Sequence, residues 1–130
     1  MAFLAVLVAA AVGYGFGALW YTTLSRQWIA ASGVASDTEG KPLNKSITPF
    51  ILSAIAMLVV AGMMRHMFGM AAIDTLGKGL LSGLGLGAFI ALPWITINYA
   101  FAGRPRALTL IDGGHAVIGC TLIGGVLTLF

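Results

Sequence analysis

The residues of this chain best suited to chemistry lie between positions 98 and 115. This stretch carries an amide, two guanidinium groups, a carboxylate and an imidazole: Asn98, Arg104, Arg106, Asp112 and His115. A charged side chain at the centre of a membrane helix costs about 2.5 to 3.5 kcal/mol on insertion scales, so such groups usually face a partner or a cavity. Asp112 and His115 are three residues apart and would share a helix face.

Two interpretations of this polar site depend on where the last helix begins. If the helix begins well before Asp112, His115 approaches the middle of the bilayer, where it can relay protons or bind a ligand while Asp112 orients it. If Asp112 is the N-cap instead, its carboxylate caps the helix and pairs with Arg104 or Arg106. His115 then bonds to Asn98 or to a backbone carbonyl. The sequence favours the second, structural interpretation, and both stay open.

A second candidate site is a run of methionines around one histidine. Met63, His66, Met67 and Met70 fall on one face of a helix. Thioether and imidazole groups form a soft ligand set that suits monovalent copper. Methionine is also an adaptable core residue, and a methionine stripe at helical spacing is more often packing than a metal site. The pattern therefore favours packing and keeps copper as an alternative. We expect no other metal and no cofactor.

The elements that position these residues are predicted to be membrane-spanning helices. Hydrophobic residues make up 59% of the 130 residues, and Asp, Glu, Lys and Arg only 8%. A helix needs about 20 mostly apolar residues to cross the hydrocarbon layer. Runs of that length lie at about 3–24, 48–68, 79–101 and 108–130. The chain is therefore predicted to be a single all-α integral-membrane domain, residues 1–130, with four transmembrane helices in a compact bundle.

Several residues predict how these helices end or bend. The first helix is expected to run on past its apolar part and to stop at Gly33, a favourable C-terminal cap. Pro93 lies inside the third span and should kink or bend that helix unless a neighbouring group or a hydroxyl compensates for the missing donor. Near the end of the first span lie aromatic residues that predict a belt at a water interface, namely Trp20, Tyr21 and Trp28.

Small residues at four-residue spacing predict close contacts between helices. The glycines in such registers are Gly13, Gly17, Gly79, Gly83, Gly87 and Gly124. They can pack the helices of one bundle, and surplus faces can join a second copy or a larger complex. The sequence therefore predicts a homo-oligomer or a subunit of a membrane complex. A Gly, Trp, Thr pattern at positions 13, 20 and 22 recurs at 87, 94 and 96, which hints at two parallel helical hairpins.

The basic residues predict the orientation in the membrane. The first and third loops and their flanks hold five of the seven basic residues, while Arg65 and Lys78 lie toward the other face. Those five are Arg26, Lys41, Lys45, Arg104 and Arg106. Because cytoplasmic loops carry an excess of Lys and Arg, the first and third loops are predicted in the cytoplasm and both termini on the outer side of the membrane. The net charge of +3 is spread over loops and helix ends, which indicates membrane anchoring and no nucleic-acid partner.

Parts of the sequence resemble a known family. They are the run 17–21 at the end of the first span, the run 98–101, Arg104 with Pro105, and the run 108–115 with its Asp-Gly-Gly-His end. These segments resemble the small bacterial membrane-protein family catalogued as domain of unknown function 1761. The resemblance covers the whole chain and implies four spans with a longer first loop, but it implies no activity. Between positions 21 and 28 the chain is shorter than the family pattern and lacks its usual Pro and its Phe-Gly-Lys turn.

Several motifs that are typical of enzymes are absent from this sequence. It has no nucleophile elbow, phosphate-cradling loop, catalytic carboxylate pair or zinc-ligand spacing. Cys120 is the only cysteine, which excludes a disulfide within the chain. We therefore expect a non-enzymatic structural, accessory or self-associating protein of the bacterial inner membrane. The alternative is a small-solute or proton conduit that uses Asn98, Asp112 and His115.

Overall fold

Helices account for most of the structure, a computed structural model that describes residues 2–130. A π-helical turn, Gly87–Ala91, joins α4 (Leu76–Leu86) to α5 (Leu92–Phe101), so that these two form one continuous long helix. Four helices are thus long and apolar enough to cross a membrane, and residues 2–130 contain no named strand, as the sequence predicts. The helices are α1 (Ala2–Thr23), α2 (Ser25–Ser32), α3 (Thr48–Met70), α4 (Leu76–Leu86), α5 (Leu92–Phe101) and α6 (Arg106–Leu127).

Helix α6 is the central helix of the bundle. It contacts every other long helix, and 39% of its most apolar stretch is buried, against 11–22% in the other spans. Its side chains Ile123 and Leu127 pack against Ala5 and Ala9 of α1 and Phe68 of α3. Many large apolar side chains on the outer surfaces of the helices are exposed, which suits helices surrounded by lipid.

The start of α6 corrects one expectation. The helix begins at Arg106, with Pro105 in extended geometry at the N-cap, so Asp112 lies well inside the helix. The prediction that Asp112 is the N-cap is therefore wrong. Proline has a fixed φ and lacks an N–H, and it can begin a helix without losing a backbone bond. Gly113 and Gly114 remain helical because α5 and α1 pack against them, through Leu92 and Trp20 respectively.

The long helix expected to kink at Pro93 contains a π-helical turn just before that residue. Pro93 lies in the first turn of α5, and the Leu92 N–H bonds to the carbonyl of Gly87, five residues back. A proline within a helix leaves a carbonyl without its usual donor and crowds the preceding turn. The wider π turn accommodates that crowding, and the long helix continues without a break.

The glycines of α4 and the π turn lie directly against the backbone of α6. We call this contact the glycine seam, in which Gly79 faces Gly124, Gly83 faces Cys120 and Gly87 faces Val117. A Cβ atom built on Gly83 would lie 2.9 Å from the carbonyl carbon of Cys120, and one on Gly87 would lie 2.5 Å from Cα of Val117. No side chain fits at such separations, so glycine permits the two helices to approach this closely.

The first loop is closed at its start by a helix cap and is otherwise exposed. Helix α2 ends at Gly33, whose φ of 72° is left-handed and whose N–H bonds to the carbonyl of Ile29. This confirms the predicted stop, although a break at Leu24 separates α2 from α1. Beyond it, Ser36 and Pro42 form an isolated bridge around an exposed turn.

Candidate functional site

The carboxylate of Asp112 joins three of the four long helices. It lies in the second turn of α6, where the Tyr21 hydroxyl at the end of α1 donates to Oδ1 at 2.6 Å. The Tyr99 hydroxyl near the end of α5 donates to Oδ2. We call these three residues the tyrosine tie. Hydroxyl groups that donate to a carboxylate form short, strong bonds. Each oxygen of Asp112 therefore accepts a hydrogen bond from a neighbouring helix.

The predicted ion pair between Asp112 and an arginine does not form. The Arg104 guanidinium donates instead to the backbone carbonyl of Ser32, with Nη2 at 2.6 Å. Ser32 is the last residue of α2, and a cation there satisfies a terminal carbonyl and favours the negative end of the helix. This bond places the third loop against the first, so these two basic loops lie at the same end of the bundle.

Two of the three residues predicted as an aromatic belt, Trp20 and Tyr21, donate hydrogen bonds to α6. The Trp20 indole N–H donates to the Ile111 carbonyl at 2.9 Å, and its ring lies over Gly114. A Cβ atom on Gly114 would lie 2.9 Å from Cζ2 of that ring, so the glycine makes room for it. Trp28 meets the Tyr21 ring edge-on at 6.2 Å. The belt prediction therefore missed the contacts that fix α1 to α6.

The imidazole of His115 lies one turn beyond Asp112 among aromatic rings. It stacks on Phe16, with centroids 5.9 Å apart and planes 8° apart, and meets the Tyr21 ring edge-on at 4.9 Å. Gly17 of α1 lies directly beside it, where an added Cβ would be 2.9 Å from Nε2. Within residues 2–130, neither ring nitrogen has a hydrogen-bond partner, and neither is fully buried.

His115 contributes to the wall of a cavity of about 740 Å³. The cavity lies between α1, α2 and the first half of α3, and Gly17, Tyr21, Trp28, Phe50 and His115 are among its lining residues. It exists because α1 and α3 pack tightly only where the first half of α1 meets the second half of α3. No residue of α3 before position 57 is buried, whereas the second half of that helix contributes to the core.

The remaining predicted residues lie apart from this cavity. Asn98 is on an exposed part of α5 and forms no side-chain hydrogen bond with Asp112 or His115 within the described residues. The structure thus brings Asp112 and His115 together with Tyr21, whereas Asn98 and Arg104 lie elsewhere. Gly13 is beside Ile123 and Met57 at the inner end of the cavity.

The face of α3 with the predicted soft ligands points away from the bundle. Met63, His66, Met67 and Met70 are all exposed, while Met64 and Phe68 between them are buried. The expectation that this methionine stripe packs in the core is therefore wrong. Residues 61, 64 and 68 are the inward positions, and the helix is rotated so that the predicted ligand face looks toward lipid or solvent.

Sequence reasoning singled out Asp112 and His115 but missed their aromatic partners. Tyr21 and Asp112 are 91 residues apart in the chain, and spacing along one helix carries no information about such a pair. The available signal was the requirement that a carboxylate in a span finds donors, together with two tyrosines at helix ends.

Comparison with known proteins gives a family match over nearly the whole chain. The sequence model of a family described as "Protein of unknown function (DUF1761)" matches residues 4–128. No curated protein and no solved structure matches the chain.

Proposed function

The chain belongs to the family described as protein of unknown function DUF1761, and from that premise we propose that it is a non-enzymatic structural or accessory membrane protein. The observation that carries the proposal is the tyrosine tie. Asp112 is the acid most deeply placed in the spans, and both of its oxygens accept bonds from helices of the same chain. An acid whose two oxygens both accept bonds from other helices of the same chain is placed to hold a bundle together.

The proposed location is a bacterial inner membrane, with both termini outside. The bond between Arg104 and Ser32 supports this orientation, because it gathers the basic residues of the first and third loops at one end. At the other end, Lys78 is paired with Asp74 at 3.0 Å, which offsets part of its charge. The excess of positive charge at the first end is typical of a cytoplasmic face.

We further propose that the protein works as a homo-oligomer or within a larger membrane complex. The glycines at four-residue spacing are in contact within the chain: Gly79, Gly83, Gly87 and Gly124 form the seam, while Gly13 and Gly17 lie beside α6 side chains. A partner therefore has to use outer surfaces, such as the exposed side of α3, where Gly62 and Gly69 have open space beside them.

The test is the mass of the protein extracted at native abundance into lipid nanodiscs. The expected result is an assembly heavier than one 13.4 kDa chain. As a control, the same membranes are fused with excess empty lipid before extraction, since a specific assembly survives dilution and a random encounter does not. A lone chain in both samples would contradict the proposal.

The conduit alternative has less support from the geometry. Of the residues proposed for it, Asn98 is exposed, Asp112 is tied to two tyrosines, and His115 alone reaches the cavity. A flux assay in proteoliposomes decides: a conduit requires that His115→Ala lowers the flux while His66→Ala, at an exposed position, leaves it unchanged. Copper binding predicts a metal stoichiometry that disappears when Met63, His66 and Met67 are changed together.

A further inference from the structure

We propose that the cavity between α1, α2 and α3 binds a neutral, membrane-soluble molecule with a flat ring and a hydrogen-bonding oxygen, which His115 contacts. This ligand site goes beyond the accessory role and does not depend on it. A single chain contains the whole cavity, so binding can be measured whether or not the protein assembles with a partner.

The size and walls of the cavity suit a small organic molecule. Its volume of about 740 Å³ lies within the range of roughly 300–1,000 Å³ that is usual for ligand sites. The wall is mostly apolar, and rings line several sides, including those of Tyr14, Tyr21, Trp28 and Phe50. Aromatic walls favour a flat ring, which can stack or meet them edge-on.

The lack of charged residues in the wall favours a neutral ligand. The residues that line the cavity include no Asp, Glu, Lys or Arg. A charged group would lose its hydration there without gaining an opposite charge, which is costly in an apolar environment. The occupant is therefore expected to be uncharged.

His115 gives the site its polar specificity. Its ring is held by Phe16 and Tyr21, and none of the residues 2–130 hydrogen-bonds to its nitrogens. A neutral imidazole offers one donor and one acceptor. A carbonyl or hydroxyl oxygen on the ligand can bond to it directly. A simple acyl chain would leave this polar group unpartnered, so the imidazole favours an oxygen-bearing ring over a lipid tail.

The position of the cavity indicates that the ligand comes from the bilayer. Its inner end lies at Gly13 and Met57, near the middle of α1 and α3, and its other end lies at Trp28 and Pro42 beside the first loop. The first half of α3 that borders it is exposed on the outer surface of the bundle. A molecule dissolved in the membrane can reach such a site laterally.

The test uses a decyl-substituted benzoquinone as the probe and the protein in nanodiscs of saturated phosphatidylcholine. Trp28 lines the cavity, so bound quinone should quench its fluorescence; Trp94→Phe removes the exposed indole on α5 from the signal. The expected result is saturable quenching. Displacement of the quinone by decylbenzene, which has the tail and a ring but no oxygen, should require at least about tenfold more compound.

Two matched pairs of variants locate the site. His115→Phe keeps an aromatic ring but loses the hydrogen bond, and it should weaken quinone binding about tenfold, which corresponds to about 1.4 kcal/mol. His66→Phe, on the exposed side of α3, should bind as the unchanged protein does. Ala56→Phe places a ring in the cavity and should abolish binding, whereas Ala54→Phe, on the same helix but outside the lining, should not.

The outcomes distinguish the parts of the proposal. Absence of saturable quenching overturns it, and equal affinity for decylbenzene overturns the oxygen-bearing ring in favour of a simple apolar occupant. Unchanged binding in His115→Phe removes the role of that residue. If His115→Phe does not fold, as judged by circular dichroism and elution volume, the Ala56 and Ala54 variants decide by themselves.

Discussion

The contact of α4 with α6 and the cavity side of α1 use small residues in opposite ways. In the glycine seam, missing side chains let two backbones touch, so that almost no space remains between the helices. On the cavity side, Gly13 and Gly17 also lack side chains, but there α1 meets the side chains of α6, and the first half of α3 lies apart. Glycine spacing in a membrane helix therefore indicates room, and the neighbouring helix determines whether backbone, side chain or cavity occupies it.

Breaking the glycine seam should have the largest effect. Gly83→Leu forces a side chain into the backbone of α6 beside Cys120, and overpacking of this kind should destabilise the fold by about 3 kcal/mol or more. Thermal unfolding in mild detergent measures the loss. The matched control is Gly85→Leu, two residues along α4, where an added side chain meets open space. Equal melting temperatures for the two variants would show that the seam is not a tight contact.

Loss of the tyrosine tie should have the next largest effect, because the tie links both α1 and α5 to α6. Asp112→Ala removes the acceptor of two hydroxyl groups, and we expect a loss of about 2 to 3 kcal/mol, since a hydrogen bond to a charged group contributes roughly 1.5 to 3 kcal/mol. The measurement is again thermal unfolding, now with Tyr21→Phe and Tyr99→Phe in each background. In the Asp112→Ala background both tyrosine changes should become nearly neutral. If their effects stay the same, the hydroxyl groups act independently of Asp112.

Two glycines on α1 should respond in opposite directions to the same change. Gly17→Ala places a methyl group 2.9 Å from Nε2 of His115, which must shift, and we expect a loss of about 1 kcal/mol. Gly15→Ala meets nothing within 4 Å and should gain about 0.5 kcal/mol, because alanine favours a helix interior. Chemical denaturation in detergent resolves the difference. A gain in both variants would mean that His115 has room to move.

The smallest effect should come from Asp74→Asn, outside both regions. The hydrogen bond and charge of Lys78 hold the pKa of Asp74 below its usual value. Because the folded pKa is lowered, the pair contributes stability above the ordinary carboxyl pKa and loses it as the pH falls through the lowered value. Unchanged protein should therefore melt slightly above Asp74→Asn at neutral pH, and the two should converge in acid. A constant difference across this range would indicate another cause.

The features that could be predicted from the sequence are those determined locally. Apolar length gives the four spans, and Gly33 marks the end of α2 because its left-handed backbone suits glycine. The N-cap at Asp112 was mispredicted because Pro105, seven positions earlier, begins the helix and neighbouring helices support the two glycines after Asp112.

The features that could not be predicted depend on the relative placement of helices. The partners of Asp112 come from two other helices, and the cavity comes from the separation of α1 and α3 along half of their length. The outward face of the methionines depends on the rotation of α3, which has little difference in polarity between its sides. In a membrane helix both the lipid face and the protein face are apolar, so polarity does not reveal which one is buried.

The π turn also sets the rotation of everything that follows it on the third long helix. A π turn holds one residue more than an α turn, and one residue corresponds to about 100° around the helix axis. The direction in which Tyr99 points toward Asp112 therefore depends on the turn at Gly87–Ala91, which lies about two helical turns before Tyr99. Deleting one residue from that turn would restore a plain α-helix and rotate Tyr99 away from α6, although no atom of the tie itself had been changed.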